Sequence, residues 1–204
     1  MTLYLPDFDP SRLAAILYRP EDDIDTLLAD FAGDLLLTGE RIGGVVQQNV
    51  KDDNGKLVGM QLVDLMTDRR IGIFQPLGAG SSACKLDTSG LAEATRAVTN
   101  AIAAGVNLII VNKFSKQEAS GRGLRSELAD AIIAGRPVLT SVSEKCLDAW
   151  KEFTGDRGTI LLNQRRVVDA WWQEVAHRDA QMRGFRPSAH AAPSGRSEII
   201  LSRS

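Results

Sequence analysis

Short, fully apolar runs alternate along this chain with segments of helical periodicity. The most apolar run is Leu108-Ile-Ile-Val111, and 13–18 and 138–142 have the same character. Apolar runs of about four to eight residues are typical of strands buried on both faces. Parallel strands need long crossover connections, which the intervening helices supply. The sequence therefore predicts an α/β fold with a mainly parallel sheet and helices on both faces, in which 108–111 is a central strand.

The remaining elements are predicted from periodicity and turn signals. Apolar residues recur at helical spacing from Ile24 to Leu35, where Asp22 or Asp23 is the candidate N-cap. Further helices are predicted at 89–104, 124–134, around Trp150 and Phe153, and at 167–182. Further strands are predicted at 42–47, 57–64, 71–75 and 159–162. The Asn54-Gly55 pair favours a β-hairpin, so we expect an antiparallel insertion in the middle of the chain.

Length and composition favour one globular domain. The 204 residues fit a single α/β domain over 1–182. From residue 183 the composition shifts to Arg, Pro, Ser, Gly and Ala, which predicts a disordered tail over 183–204. The net charge is −2, so we expect no nucleic-acid partner.

No apolar run approaches the ~20 residues of a membrane-spanning helix, so we expect no membrane partner. The two Cys and two His favour neither a disulfide scaffold nor a zinc site. The expected location is the cytoplasm, with no metal and no cofactor. The sequence leaves a homo-oligomer open.

The candidate site lies beyond the carboxyl ends of the strands, where open α/β sheets bind ligands. The segment 112–125 follows the most apolar strand and precedes a predicted helix. Cations and backbone N–H groups at such a position favour an anion. We expect charge from Lys113 and Arg122, and a polar ligand contact from Glu118. Asn112 and Gln117 would orient the ligand.

Three other contributions to this site are predicted from position. The small-residue loop that contains Gly80, Ser81 and Ser82 offers backbone N–H donors. Gln47 ends a strand and is expected either to hydrogen-bond the ligand from the side or to belong to a polar cluster at the sheet end. Arg19 follows the first strand and either faces the anion or forms a surface ion pair.

The order of these segments resembles the small P-loop nucleoside triphosphatases related to thermophilic nucleotide phosphohydrolases. The similar phrases are Val63-Asp-Leu65 and Pro137-Val-Leu-Thr-Ser-Val142, within a match over about residues 12–162. Two diagnostic motifs of that class are absent. The segment 18–26 lacks the Gly and Lys of the phosphate loop, G-x-x-x-x-G-K-[ST], and Asn112-Lys113 stands where that class has Asp-Glu.

The chain is also similar to a bacterial family known as domain of unknown function 2478. The phrases that carry this resemblance are Gly43-Gly-Val-Val-Gln47, Cys84-Lys-Leu-Asp87, Asn112-Lys-Phe-Ser-Lys-Gln-Glu118, Gly121-Arg-Gly-Leu124 and Pro137-Val-Leu139. The resemblance implies a degenerate P-loop fold without a settled activity. It also implies an association with molybdate-uptake genes.

These observations leave three functional hypotheses. The leading one is a non-hydrolysing protein that binds a small anion, either a nucleotide phosphate or an oxyanion such as molybdate or sulfate. The second is an active nucleotide phosphohydrolase whose metal is held by Glu118, or by Asp22 with Asp23. The third is a regulatory or scaffold protein whose interface is the C-terminal helix containing Trp171 and Trp172.

Overall fold

The computed structural model describes residues 8–54, 57–76, 84–86 and 88–184. Its strands are β1 (Leu13–Tyr18), β2 (Ile42–Lys51), β3 (Leu57–Asp64), β4 (Arg70–Gly72), β5 (Phe74–Pro76), β6 (Cys84–Leu86), β7 (Leu108–Phe114), β8 (Val138–Ser143) and β9 (Thr159–Leu162). Its helices are α1 (Ile24–Leu37), α2 (Thr88–Ala104), α3 (Lys116–Ala119), α4 (Arg125–Ile133), α5 (Leu147–Thr154) and α6 (Arg165–Gly184). Short 3-10 helices span Pro10–Arg12 and Glu144–Cys146.

Seven strands form one sheet in the order β4-β3-β2-β7-β8-β1-β9. Strands β2, β7, β8, β1 and β9 are parallel, whereas β3 and β4 pair antiparallel at one edge. β5 and β6 form a separate antiparallel pair. The predicted parallel sheet with an antiparallel insertion is therefore confirmed, and β7 is its central strand.

Side chains of the buried strands alternate between two hydrophobic cores, as the two-residue period of a strand requires. In β1, Leu13 and Ala15 face one core, and Ala14 and Ile16 face the other. The first core is covered by α2, α4 and α5, and the second by α1 and α6. The carboxyl ends of the parallel strands remain open between these layers, which is where the polar residues of the site collect.

Several predicted elements match the structure closely. The strands over 13–18, 57–64 and 159–162 have the predicted bounds. Asp23 is the N-cap of α1, because its carboxylate accepts a hydrogen bond from the backbone N–H of Thr26. Among the described residues, no helix combines the length and apolarity needed to cross a bilayer.

Other predictions need correction. The polar segment that was expected to begin at Asn112 instead continues β7 as far as Phe114 and then forms α3. The single strand expected over 71–75 is divided between β4 and β5, which belong to different sheets. The tail expected from residue 183 begins inside α6, and 185–204 lie outside the described residues.

Candidate functional site

The side chains of β2 and β7 converge on one residue of α1 at the carboxyl end of the sheet. This residue is Asp25, in the first turn of α1. Its Oδ1 accepts a hydrogen bond from Asn112 Nδ2 at 2.8 Å, and its Oδ2 accepts one from Gln47 Nε2 at 2.8 Å. Lys113 Nζ lies 3.0 Å from Oδ1 and 3.3 Å from Oδ2. Two amides and one ammonium therefore hold the same carboxylate.

These four groups are largely withdrawn from solvent. Asn112 and Gln47 are buried, and the side chains of Asp25 and Lys113 are 13% and 20% exposed. Charges in such surroundings are stabilised only when they are paired and hydrogen-bonded. The Asp25–Lys113 pair satisfies this requirement, because the two amides supply the additional hydrogen bonds to Asp25.

The Asn112 amide is fixed from its other side by β8. The hydroxyl of Ser141 donates a hydrogen bond to Asn112 Oδ1 at 2.8 Å, and both residues are buried. The neighbouring Thr140 hydroxyl donates to the backbone oxygen of Val111 at 2.6 Å. The Asp25 carboxylate can only accept, so the Asn112 side chain presents its NH₂ group to Asp25 and its oxygen to Ser141.

Tyr18 bounds the site on the side of β1. Lys113 Nζ lies 5.5 Å from the centroid of the Tyr18 ring, within the range of a cation–π contact. Burial, followed by the negative charge of Asp25, raises the pKa of Tyr18 to about 12. The phenol therefore stays protonated at neutral pH and adds no second anion beside Lys113.

The loop after β7 is organised by Glu118, which is buried. Its Oε2 accepts hydrogen bonds from the backbone N–H and the hydroxyl of Ser115 at 2.9 and 2.8 Å. Its Oε1 accepts one from the backbone N–H of Leu124 at 3.1 Å. Gly123 makes room for this carboxylate, since its φ is +60° and an added Cβ would lie 2.0 Å from Oε1. Both carboxylate oxygens of Glu118 thus accept hydrogen bonds from groups of the loop.

A small cavity of about 140 Å³ opens between β7, the loop and the neighbouring elements. We call it the amide cavity. Its polar wall is formed by Gln47, Asn112, Lys113, Ser115, Gln117 and Glu118. Its apolar wall is formed by Leu62, Ile73, Leu91 and Leu124. Five of the predicted site residues therefore line one cavity.

A second cavity of about 320 Å³ lies on the other side of Gln47. We call it the acidic cavity. It is lined by Asp23, Asp25, Thr26, Ala29, Asp30, Gln47, Gln48 and Asn49. Gln47 lines both cavities, so the Asp25–Gln47 contact lies at their boundary. The acidic cavity carries three carboxylates and disfavours an anion, whereas the amide cavity contains the one ammonium group among its lining residues.

The structure does not bring every predicted residue to the site. The Arg19 guanidinium pairs with Glu144 at 2.7 Å and is exposed, so the surface ion pair is the alternative that holds. Arg122 is also exposed, and its Nε donates to the Ser120 hydroxyl at 3.3 Å rather than lining the amide cavity. Gly80, Ser81 and Ser82 lie outside the described residues.

Asp25 is the residue of the candidate site that sequence reasoning missed. Its signal was present: aligning Thr26 with the last position of G-x-x-x-x-G-K-[ST] places Asp25 at the lysine. At the end of β7, Asn112-Lys113 stands where that motif class has Asp-Glu, so Lys113 takes the place of the second acid. The side chains of Asp25 and Lys113 form an ion pair.

The described residues offer little to a metal ion. No group of three or more His, Cys, Asp and Glu side chains in the described ranges is arranged to hold one. Asp22 accepts a hydrogen bond from the backbone N–H of Arg19 at 2.7 Å, and Asp23 caps α1. The acids proposed for a metal site therefore have structural partners here.

Comparison with known proteins gives the family of the chain. Residues 13–171 match the sequence model of a family described as "Protein of unknown function (DUF2478)". The chain is 62% identical over 183 residues to the "Molybdenum import ATP-binding protein ModC 2" of Bradyrhizobium diazoefficiens. The match covers 90% of this chain and 20% of that protein, so the chain spans about a fifth of its relative's length.

A structural match supports the fold assignment. The solution structure of a human cancer-related nucleoside triphosphatase has a TM-score of 0.52 to this chain and is 13% identical to it. The alignment covers 86% of this chain and 99% of that one. The fold is therefore that of the P-loop nucleoside triphosphatases, as the sequence predicted.

Proposed function

Because this chain belongs to the DUF2478 family of proteins of unknown function and has a P-loop nucleoside triphosphatase fold, we propose that it binds a small oxyanion without hydrolysing nucleotide. The anion enters the amide cavity and is held by Lys113, with hydrogen bonds from Asn112, Gln47 and Gln117. Molybdate and sulfate are the ligands of suitable chemistry. The function is recognition of the anion rather than chemical conversion.

The observation that carries this proposal is the exchanged charge of Asp25 and Lys113. In P-loop hydrolases the motif lysine contacts the phosphates, and an acid at the end of the strand holds Mg²⁺. Here an acid stands at the lysine position, and Asn112-Lys113 stands at the acid position. The acid would repel a triphosphate, and the ammonium would repel Mg²⁺. Neither half of the hydrolytic arrangement is retained.

The size of the amide cavity favours a free oxyanion over a nucleotide. Pockets for organic ligands are about 300 Å³ or larger, whereas this cavity is about 140 Å³. Its polar wall contains an ammonium and several amide donors, the groups that bind oxyanion oxygens. The Glu118 carboxylate, although it belongs to the wall, already accepts hydrogen bonds at both oxygens.

The relative's name gives this chemistry a biological setting. A protein called a molybdenum import ATP-binding protein contains a region 62% identical to this chain. We infer that the chain acts as an oxyanion-sensing unit in molybdate uptake. In this role it would report the anion concentration and leave ATP hydrolysis to other domains or proteins.

Replacing Lys113 by glutamine is expected to weaken oxyanion binding by about 10- to 100-fold, because it removes a charged hydrogen bond of about 1.5–3 kcal/mol. The measurement is calorimetric titration with sodium molybdate and sodium sulfate at constant ionic strength. The matched control is Lys116→Gln, since Lys116 is an exposed lysine three residues away. Equal affinities of the two variants would contradict the assignment of Lys113.

Neither rival hypothesis gains support from the geometry. The acids that a hydrolase would need for its metal are held by backbone N–H groups, as described for Glu118, Asp22 and Asp23. Trp171 and Trp172 are buried in the core beneath α6, and Trp171 Nε1 donates to the backbone oxygen of Ser11 at 3.1 Å. These two side chains are therefore used within the chain and do not form an exposed interface.

A further inference from the structure

We propose that Asp25 is an internal competitor for the oxyanion, so that the site exchanges its own carboxylate for a doubly charged ligand. This inference rests on the proposed function, since it concerns the same three donors. In the structure the carboxylate of Asp25 is the acceptor for Gln47, Asn112 and Lys113. A bound oxyanion needs the same N–H groups, so it binds by taking them from Asp25.

The structure provides a place for the displaced carboxylate. Asp25 lines the acidic cavity, whose volume is about 320 Å³ and which lies directly beyond Gln47. A change of side-chain rotamer directs the carboxylate into this space without unfolding α1. Asp23 and Asp30 also line that cavity and are exposed. Their negative charges disfavour the displaced position and return Asp25 to Lys113 when the anion leaves.

The charge of the competitor determines which ligands succeed. Asp25 carries one negative charge and is covalently held beside Lys113, so a singly charged anion gains no electrostatic advantage over it. A dianion interacts with the ammonium about twice as strongly at the same distance. We therefore expect selectivity for dianionic oxyanions such as molybdate and sulfate over nitrate and formate. Asp25 acts as a positioning and selectivity residue.

Exchange also connects ligand binding to α1. Asp25 belongs to the first turn of α1, and its contacts with β2 and β7 tie that turn to the sheet. When the anion replaces the carboxylate, these ties are lost and the first turn becomes freer to open. The expected signature is faster amide hydrogen exchange over the first turn of α1 in the presence of molybdate.

The test is calorimetric titration of the full chain and its Asp25→Asn variant with sodium molybdate, sulfate, nitrate and formate. Suppose that Asp25 leaves its donors free in about one molecule in ten. Removing the competitor then makes every molecule competent to bind, and the affinity for molybdate rises about tenfold. We also expect the variant to bind formate and nitrate, which the wild type rejects. Asp130→Asn is the control for net charge, because Asp130 is an exposed acid on α4.

The outcomes separate this inference from the proposed function. If the wild type binds molybdate and Asp25→Asn binds it no more tightly, the competitor role is overturned and the oxyanion function stands. If only Asp25→Asn binds, Asp25 blocks the site as inferred and the proposed function fails. Equal wild-type affinity for molybdate and nitrate at constant ionic strength also overturns the inference, and this result does not depend on a variant's folding.

Discussion

Replacing Gly44 by alanine is expected to lower the free energy of unfolding by about 4 kcal/mol or more, the range reserved for severe clashes in a packed core. Gly44 lies in β2 and pairs with Ile110 of the central strand β7. Its φ is +98°, and an added Cβ would lie 2.1 Å from the backbone oxygen of Ile110. The neighbouring backbone cannot yield as a flexible side chain would, so the β2–β7 pairing must separate.

The matched control for this substitution is Gly39→Ala. Gly39 also has a positive φ, +82°, but an added Cβ there meets no atom within 4 Å. We expect a loss of only about 1–2 kcal/mol, which is the cost of the left-handed backbone alone. Urea denaturation of both variants measures the difference. A similar loss at the two glycines would show that the close approach to Ile110 is not what makes Gly44 necessary.

Replacing Glu118 by alanine is expected to lower the free energy of unfolding by about 3 kcal/mol, because charge-assisted hydrogen bonds and buried donors are lost together. The Glu118 carboxylate is the acceptor for the backbone N–H groups of Ser115 and Leu124 and for the Ser115 hydroxyl. Without it the buried N–H of Leu124 and the partly buried donors of Ser115 lose their acceptor. Urea denaturation monitored by circular dichroism measures the effect.

Glu127→Ala is the control for this second prediction. Glu127 lies nearby in α4, is partly buried, and its Oε2 has no hydrogen-bond partner among the described residues. Its loss is expected to change stability by less than about 1 kcal/mol. If Glu118→Ala is as mild as Glu127→Ala, the carboxylate does not organise the loop, and a direct ligand role for Glu118 becomes the better explanation.

The sheet could be predicted because the composition of each buried strand is itself diagnostic. Runs such as Leu13–Tyr18 are apolar at every position, and this composition over six residues is typical of strands buried on both faces. The division of 71–75 into two strands was not predictable, because the apolar pattern does not record which sheet a strand joins. The extension of β7 through Asn112 and Lys113 was missed for a related reason, since polar residues at a strand end resemble the start of a loop.

The site was only partly predictable because its central contact is long-range. The structure does bring Gln47, Asn112 and Lys113 together, but Gln47 lies inside β2 and not at the strand end that the sequence predicted. The residue that joins them, Asp25, lies 87 residues from Asn112 in sequence. Within its own segment it is one acid among several, and only the register of the phosphate-loop pattern distinguishes it. Charge alone also misdirected the prediction of Arg122, whose side chain remains in solvent.

The central claim is that the protein binds an oxyanion without Mg²⁺. Its most direct test is calorimetric titration of the wild-type protein with sodium molybdate and sodium sulfate in buffer containing EDTA. We predict saturable one-to-one binding of at least one of these oxyanions without Mg²⁺, since Lys113 and the surrounding amides supply the contacts. The absence of saturable binding of either oxyanion would contradict the account. Phosphate release from a nucleoside triphosphate in a parallel assay with Mg²⁺ and without EDTA would then establish a hydrolase.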